Sequence, residues 1–164
     1  MRRALLLAAL LCVCGCGSSP PPSTPSASVD PRVRAAAAQA YTAAAATANA
    51  AKASLQAGPC TRSDNPSLKA CSSGLAAVEQ TYENALLAIT FPSDAQADAN
   101  ALVAIDKKVI AEEQAFAASA NPQADSADFS AIEQDDSRLA AAVAALRRDL
   151  GLSTAPPLGA TPTP

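Results

Sequence analysis

The chain is built on small side chains. Alanine recurs throughout its middle, and although 49% of the residues are hydrophobic, only 3% are aromatic. Such side chains fill a core only where backbones approach closely. Helices allow this more readily than sheets, because alanine carries no side-chain entropy cost in a helix and is depleted from strands. The β-branched residues are scattered, with no alternating run that reads as a strand. An all-α fold follows.

Breakers at Gly58-Pro59, Phe91-Pro92-Ser93, Asn121-Pro122 and Gly151 divide the interior into four segments of about 25 residues. Equal lengths with short connections predict a four-helix, up-down-up-down bundle over residues 31–152. Apolar steps of three and four give each helix a seam. The first is nearly bare: Tyr41, Ala44, Ala48, Ala51 and Leu55. In the second the seam is Leu68, Cys71, Leu75, Val78, Tyr82, Ala85 and Ile89. The third gives Leu102, Ile105, Val109, Glu112 and Phe116, and the fourth Phe129, Ile132, Asp136, Leu139, Val143, Leu146 and Leu150. For the helix ends, Ser93 with Gln96 forms a capping-box pattern, Asn65 precedes Pro66 as a cap, and Gly151 is a C-terminal stop. Asp94, Asp98, Asp125 and Asp128 near helix starts, with Arg147 and Arg148 near an end, match the helix dipole.

The front of the chain carries an address. Arg2-Arg3 is followed by an apolar run from Ala4 to Val13 and then Cys14-Gly15-Cys16. About ten apolar residues span roughly 15 Å as a helix, half of a hydrocarbon core, so residues 1–15 read as a signal peptide rather than a lasting anchor. Val13-Cys14-Gly15-Cys16 resembles the lipobox of bacterial lipoproteins. That resemblance implies a diacylglycerol thioether on Cys16, cleavage after Gly15, and attachment to the outer face of the cell membrane. Cys12 and Cys14 follow bulky residues and fit the pattern less well. Cleavage by ordinary signal peptidase, giving a secreted product, is the alternative. Residues 16–30 form a Pro/Ser linker reaching roughly 40 Å if extended, and residues 153–164 a disordered tail.

Outside the cytoplasm, the remaining Cys60 and Cys71 are expected to pair as a structural disulfide. A catalytic redox pair is the alternative, but such pairs are usually closer and sit at a strand-to-helix turn.

Composition narrows the chemistry. The chain has no histidine, the commonest general base and metal ligand. A ferritin-like metal centre and a thiolate zinc site both lack ligands, and no glycine-rich phosphate loop occurs. The formal charge of −3 falls to about −5 without Arg2 and Arg3, which argues against nucleic acid as a partner. Glu112 and Asp136 remain as carboxylates on apolar seams. A buried acid in a cavity could donate protons or anchor a ligand, whereas one at the seam's edge would only set register. Tyr41 and Tyr82 read as core or rim aromatics.

Phe91-Pro92-Ser93-Asp94-Ala95-Gln96-Ala97-Asp98 with Ala101-Leu102, and the closing Arg148-Asp149-Leu150-Gly151-Leu152, together with the lipobox, resemble a family of small helical lipoproteins and secreted proteins of high-GC Gram-positive bacteria. The resemblance implies a shared fold and location, and no activity. The expectation is therefore a non-enzymatic module without cofactor, held on the lipid bilayer through acylated Cys16 and interacting with another envelope protein. A helical bundle that binds a small apolar or amphipathic ligand is the alternative.

Overall fold

In a computed structural model, residues 29–154 are described; the signal segment, Cys16, nearly all of the linker and the tail from residue 155 lie outside the described residues. Helix α1 runs Pro31–Gln56, α2 Asn65–Leu87, α3 Gln96–Ala118 and α4 Pro122–Asp149, with a single 3-10 turn at Pro59–Thr61 between the first two. Among the described residues there is no strand, and no helix is long and apolar enough to cross a membrane. The four helices pack as a bundle in which α3 lies against both α2 and α4, while α1 packs mainly on α2.

The ends of the bundle are held by polar contacts over apolar cores. At one end the Arg34 guanidinium of α1 reaches the Asp149 carbonyl and the Asp94 carboxylate, joining the start of α1, the end of α4 and the α2–α3 connection. At the other, Lys69 donates to the Ser119 carbonyl and pairs with Asp125 at 3.3 Å. Its ammonium stands 5.7 Å from the Phe116 ring, which itself packs on Phe129 with centroids 6.3 Å apart.

Helix termination follows local chemistry, with two departures from the expected caps. Gly151 takes φ 72° and closes α4 as expected: its N–H donates to the Arg148 carbonyl and that of Leu152 to the Arg147 carbonyl, satisfying two terminal acceptors. The cap of α2 is Asp64, whose carboxylate accepts from the Ser67 N–H at 3.0 Å; Asn65 is already helical. Nor does Ser93 cap α3. Ala95 occupies that position without a side-chain bond, and it is fully buried against the core, where a methyl group fits and an unshared hydroxyl would be costly.

The seams also differ from expectation. The buried row of α2 is Ser72, Ala76, Glu79, Glu83 and Leu86, together with Tyr82; that of α3 is Ala99, Leu102, Asp106, Val109, Glu113 and Phe116, with Ile110 beside it. Both rows keep steps of three and four; that of α2 is rotated by about one residue from the apolar row named above, while that of α3 keeps Leu102, Val109 and Phe116 and exchanges Ile105 and Glu112 for Asp106 and Glu113. Leu75, Val78, Ile105 and Glu112 are thereby left half-buried, and Phe129 and Asp136 exposed. Ile89 lies beyond the end of α2. On α1 the small-residue seam holds, with Ala37, Tyr41 and Ala48 buried.

Cys60, in the 3-10 turn, and Cys71, in α2, are joined by a disulfide with Cα atoms 4.9 Å apart. It fastens the α1–α2 connection to the second turn of α2. Closing a loop of this size contributes about 3 kcal/mol on a chain-entropy account. Close by, Gly74 gives Leu55 its place: a Cβ there would stand 2.7 Å from Leu55 Cδ2.

Candidate functional site

Two features stand out, an open trough on the outside of the bundle and a row of carboxyl groups inside it. The trough runs between α1 and α2, with a volume of about 820 Å³. Ala36, Ala40, Ala43 and Thr47 form its α1 wall, and Ala77, Thr81 and Ala88 its α2 wall, all exposed; Tyr82 and Ala48 close its floor. It exists because the α1 seam is bare. Methyl groups let α1 and α2 approach at their buried faces but leave nothing to fill the outer valley between them. No charged residue lines it.

Polar side chains in the trough are few, Thr47, Thr81, Tyr82 and Thr90, and the first two are engaged within their own helices. The Thr47 hydroxyl donates to the Ala43 carbonyl at 3.0 Å and the Thr81 hydroxyl to the Ala77 carbonyl at 2.9 Å, each within its own helix. The Tyr82 hydroxyl points away from solvent, beside Tyr41, and burial followed by Tyr41 pushes its pKa up. Tyr41 and Tyr82 are both buried, so they are core aromatics whose second role is to floor this valley.

The carboxyl row lies behind that floor. Glu79 and Glu83 of α2 face Asp106 and Glu113 of α3, and all four are at least 95% buried. Glu79 pairs with Lys52 of α1, and Glu83 with Lys107 at 3.9 Å. Neither oxygen of Asp106 has a donor, and Glu113 Oε2 has none either. Two ionised carboxylates cannot bond to each other. A proton on Asp106 changes this, because the Glu79 carboxyl group then accepts from it. Burial, then the Glu79 charge, pushes Asp106 up to about 8; the same two causes in the same order push Glu113 up to about 8. Lys52 opposes both shifts without cancelling them.

Of the acids singled out in the sequence, Glu112 stays apart from this row, and Asp136 faces Glu113 from α4 without joining it. Glu112 is half-buried and pairs with Lys108 at 3.3 Å, its other oxygen covered and without a donor. Asp136 is exposed on α4. They do not converge on a common cavity. A fifth buried acid, Asp135, sits beneath Lys108 and Arg138, with Arg138 Nη1 2.8 Å away, and the Lys108 hydrogen bond holds it below the usual carboxylate range. No group of three or more His, Cys, Asp or Glu side chains among the described residues is placed to hold a metal ion. Cys16, the expected lipidation site, lies outside the described residues.

Comparison of the chain with known protein families, with characterised proteins and with solved structures gives no match. Any functional reading therefore rests on the trough, the carboxyl row and the sequence signals alone.

Proposed function

We propose that this chain is a non-enzymatic binding module of the cell envelope, tethered through a lipid on Cys16, and that the α1–α2 trough receives an apolar helix of a partner protein. The uncharged trough carries the reading. From Ala36 to Ala51 it follows 15 residue steps of helix, about 22 Å at 1.5 Å per step, which is the length of four turns of a partner. Alanine walls suit close helix approach, and helix-in-groove recognition needs little else. Exposed contiguous apolar surface of this kind marks contact sites on proteins that otherwise stay soluble.

A small apolar ligand is the second reading, because the volume falls within the range of small-molecule pockets. Such pockets use a few converging polar groups to fix orientation. Here the Thr47 and Thr81 hydroxyls are spent on their own helices, which favours the helical partner. The resemblance to actinobacterial lipoproteins and the lipobox support the envelope setting.

The test places a photo-crosslinking residue at Ala43 or Thr81, and a control at the exposed Gln114 of α3, in the full-length chain in intact cells. A protein adduct from the trough positions that disappears with Ala40→Glu is expected. Equal labelling from Gln114, or adducts with lipid alone, would overturn the partner reading. Separately, Cys16→Ser should move the protein from the membrane fraction to the medium.

A further inference from the structure

We propose that α1 is latched onto the bundle by protons: α1 closes over the carboxyl row only while Asp106 and Glu113 are protonated, and rising pH releases it. Two independent counts select these residues. Four buried carboxyl groups, Glu79, Glu83, Asp106 and Glu113, face two paired cations, Lys52 and Lys107. The charge surplus is two. The hydrogen-bond count finds the same pair, since the buried oxygens of this row without a donor belong to Asp106 and Glu113. A buried, unpaired carboxylate is expensive enough that the group keeps its proton instead.

Every neighbouring helix contributes to this balance. Toward Asp106, α1 presents Lys52, and α2 presents Glu79, Glu83 and Tyr82. Toward Glu113, α1 again presents Lys52, α2 Glu79, α4 Asp136, and α3 itself Asp106. The neighbouring carboxyl groups add to burial in raising both pKa values to about 8, and the Lys52 charge works against them.

Helix α1 is the element placed to move. It buries Ala37, Tyr41 and Ala48, whereas α2, α3 and α4 share Leu86, Leu102, Val109, Phe116 and Leu146. Its ends are fastened, one through Arg34 and the other through the short connection carrying the Cys60–Cys71 disulfide. Between them Lys52 is its ionic tie to the row. Lifting the middle of α1 lets water reach Asp106 and Glu113 and returns them toward ordinary acidity. The opening equilibrium then grows with pH from about 4, by up to tenfold per pH unit for each group, and levels off above about 8.

Hydrogen exchange of the full chain, with peptide-level protection corrected for the intrinsic pH dependence of exchange, tests this between pH 5 and 8. Protection of α1 should fall at least tenfold per pH unit while that of α3 and the C-terminal half of α4 falls less. Asp106→Asn and Glu113→Gln should each flatten the α1 slope by about one proton. Lys52→Met, which leaves Glu79 unpaired, should steepen it, and it serves as the test if the Asp106 variant does not fold. An α1 slope unchanged in these variants, or equal loss of protection in all four helices, would overturn the latch.

Discussion

Asp106 and Asp135 are both buried acids on adjacent helices, and their surroundings give them opposite behaviour. Asp135 lies at the rim, where the long side chains of Lys108 and Arg138 fold over it with more than half of their own surface still in water. Asp106 lies at the centre, where a cation would itself have to be dehydrated, and its nearest carboxyl neighbour already holds Lys52. Burial alone therefore does not decide whether a carboxyl group is ionised. What decides is whether a cation can reach it while keeping its own hydration.

The pair predicts opposite pH dependences. For Asp106 the folded pKa is raised, so its contribution is most favourable at and below pH 4 and declines as pH climbs toward about 8. Asp106→Asn removes that decline and leaves an amide able to donate to Glu79. At pH 7.5 it should stabilise the protein by about 2 to 4 kcal/mol, and the gain should shrink toward zero near pH 4.5, as read by urea unfolding at the two pH values. A variant no more stable than the parent at pH 7.5 would break the contrast.

Next in size is Asp135→Asn, with the opposite sign. The folded pKa of Asp135 is lowered, so its stabilisation is present above pH 4 and is lost as pH falls through the folded value. The variant should be less stable than the parent at neutral pH and converge with it once acid has protonated Asp135 in the folded protein. Smallest is Arg138→Ala, since Lys108 remains on Asp135; a loss below about 1 kcal/mol is expected, in line with exposed ion pairs. Salt sharpens the same comparison. Raising sodium chloride to about 1 M should reduce the effect of Asp135→Asn and leave that of Asp106→Asn nearly unchanged, because screening acts on the rim and not on the centre.

The sequence displays the four helices and their lengths openly, since Gly and Pro punctuate it and alanine excludes sheets. It conceals the interior acids. A search for apolar letters takes Ile105 over Asp106, one position away, and the steps of three and four counted on from Ile105 then fall on Glu112 rather than Glu113. The spacing did hold a clue: 99, 102, 106, 109, 113 and 116 form an unbroken row of threes and fours that includes two carboxyl groups, and 72, 76, 79, 83 and 86 form another. Lys52, the one lysine on an otherwise alanine-rich helix, was a second. Gly151 stops α4 as its sequence position implies, whereas the expected cap of α3 failed for a different reason. Ser93 is a good cap in isolation, but the tertiary packing of Ala95 moved the helix start past it. Of the trough, only the bareness of the first seam was readable; that its outer side stays uncovered depends on how α1 lies on α2.

The contact of Arg34 with the Asp149 carbonyl sets the beginning of the first helix beside the finish of the last. Chain therefore enters and leaves at one pole, and the valley between α1 and α2 runs lengthwise from near that pole as far as Ala51 and Ala77. If the segment ahead of α1 tethers the protein to a bilayer, attachment is made at one pole of the valley and not along its side, so both walls stay open to a neighbour over the whole length of the valley.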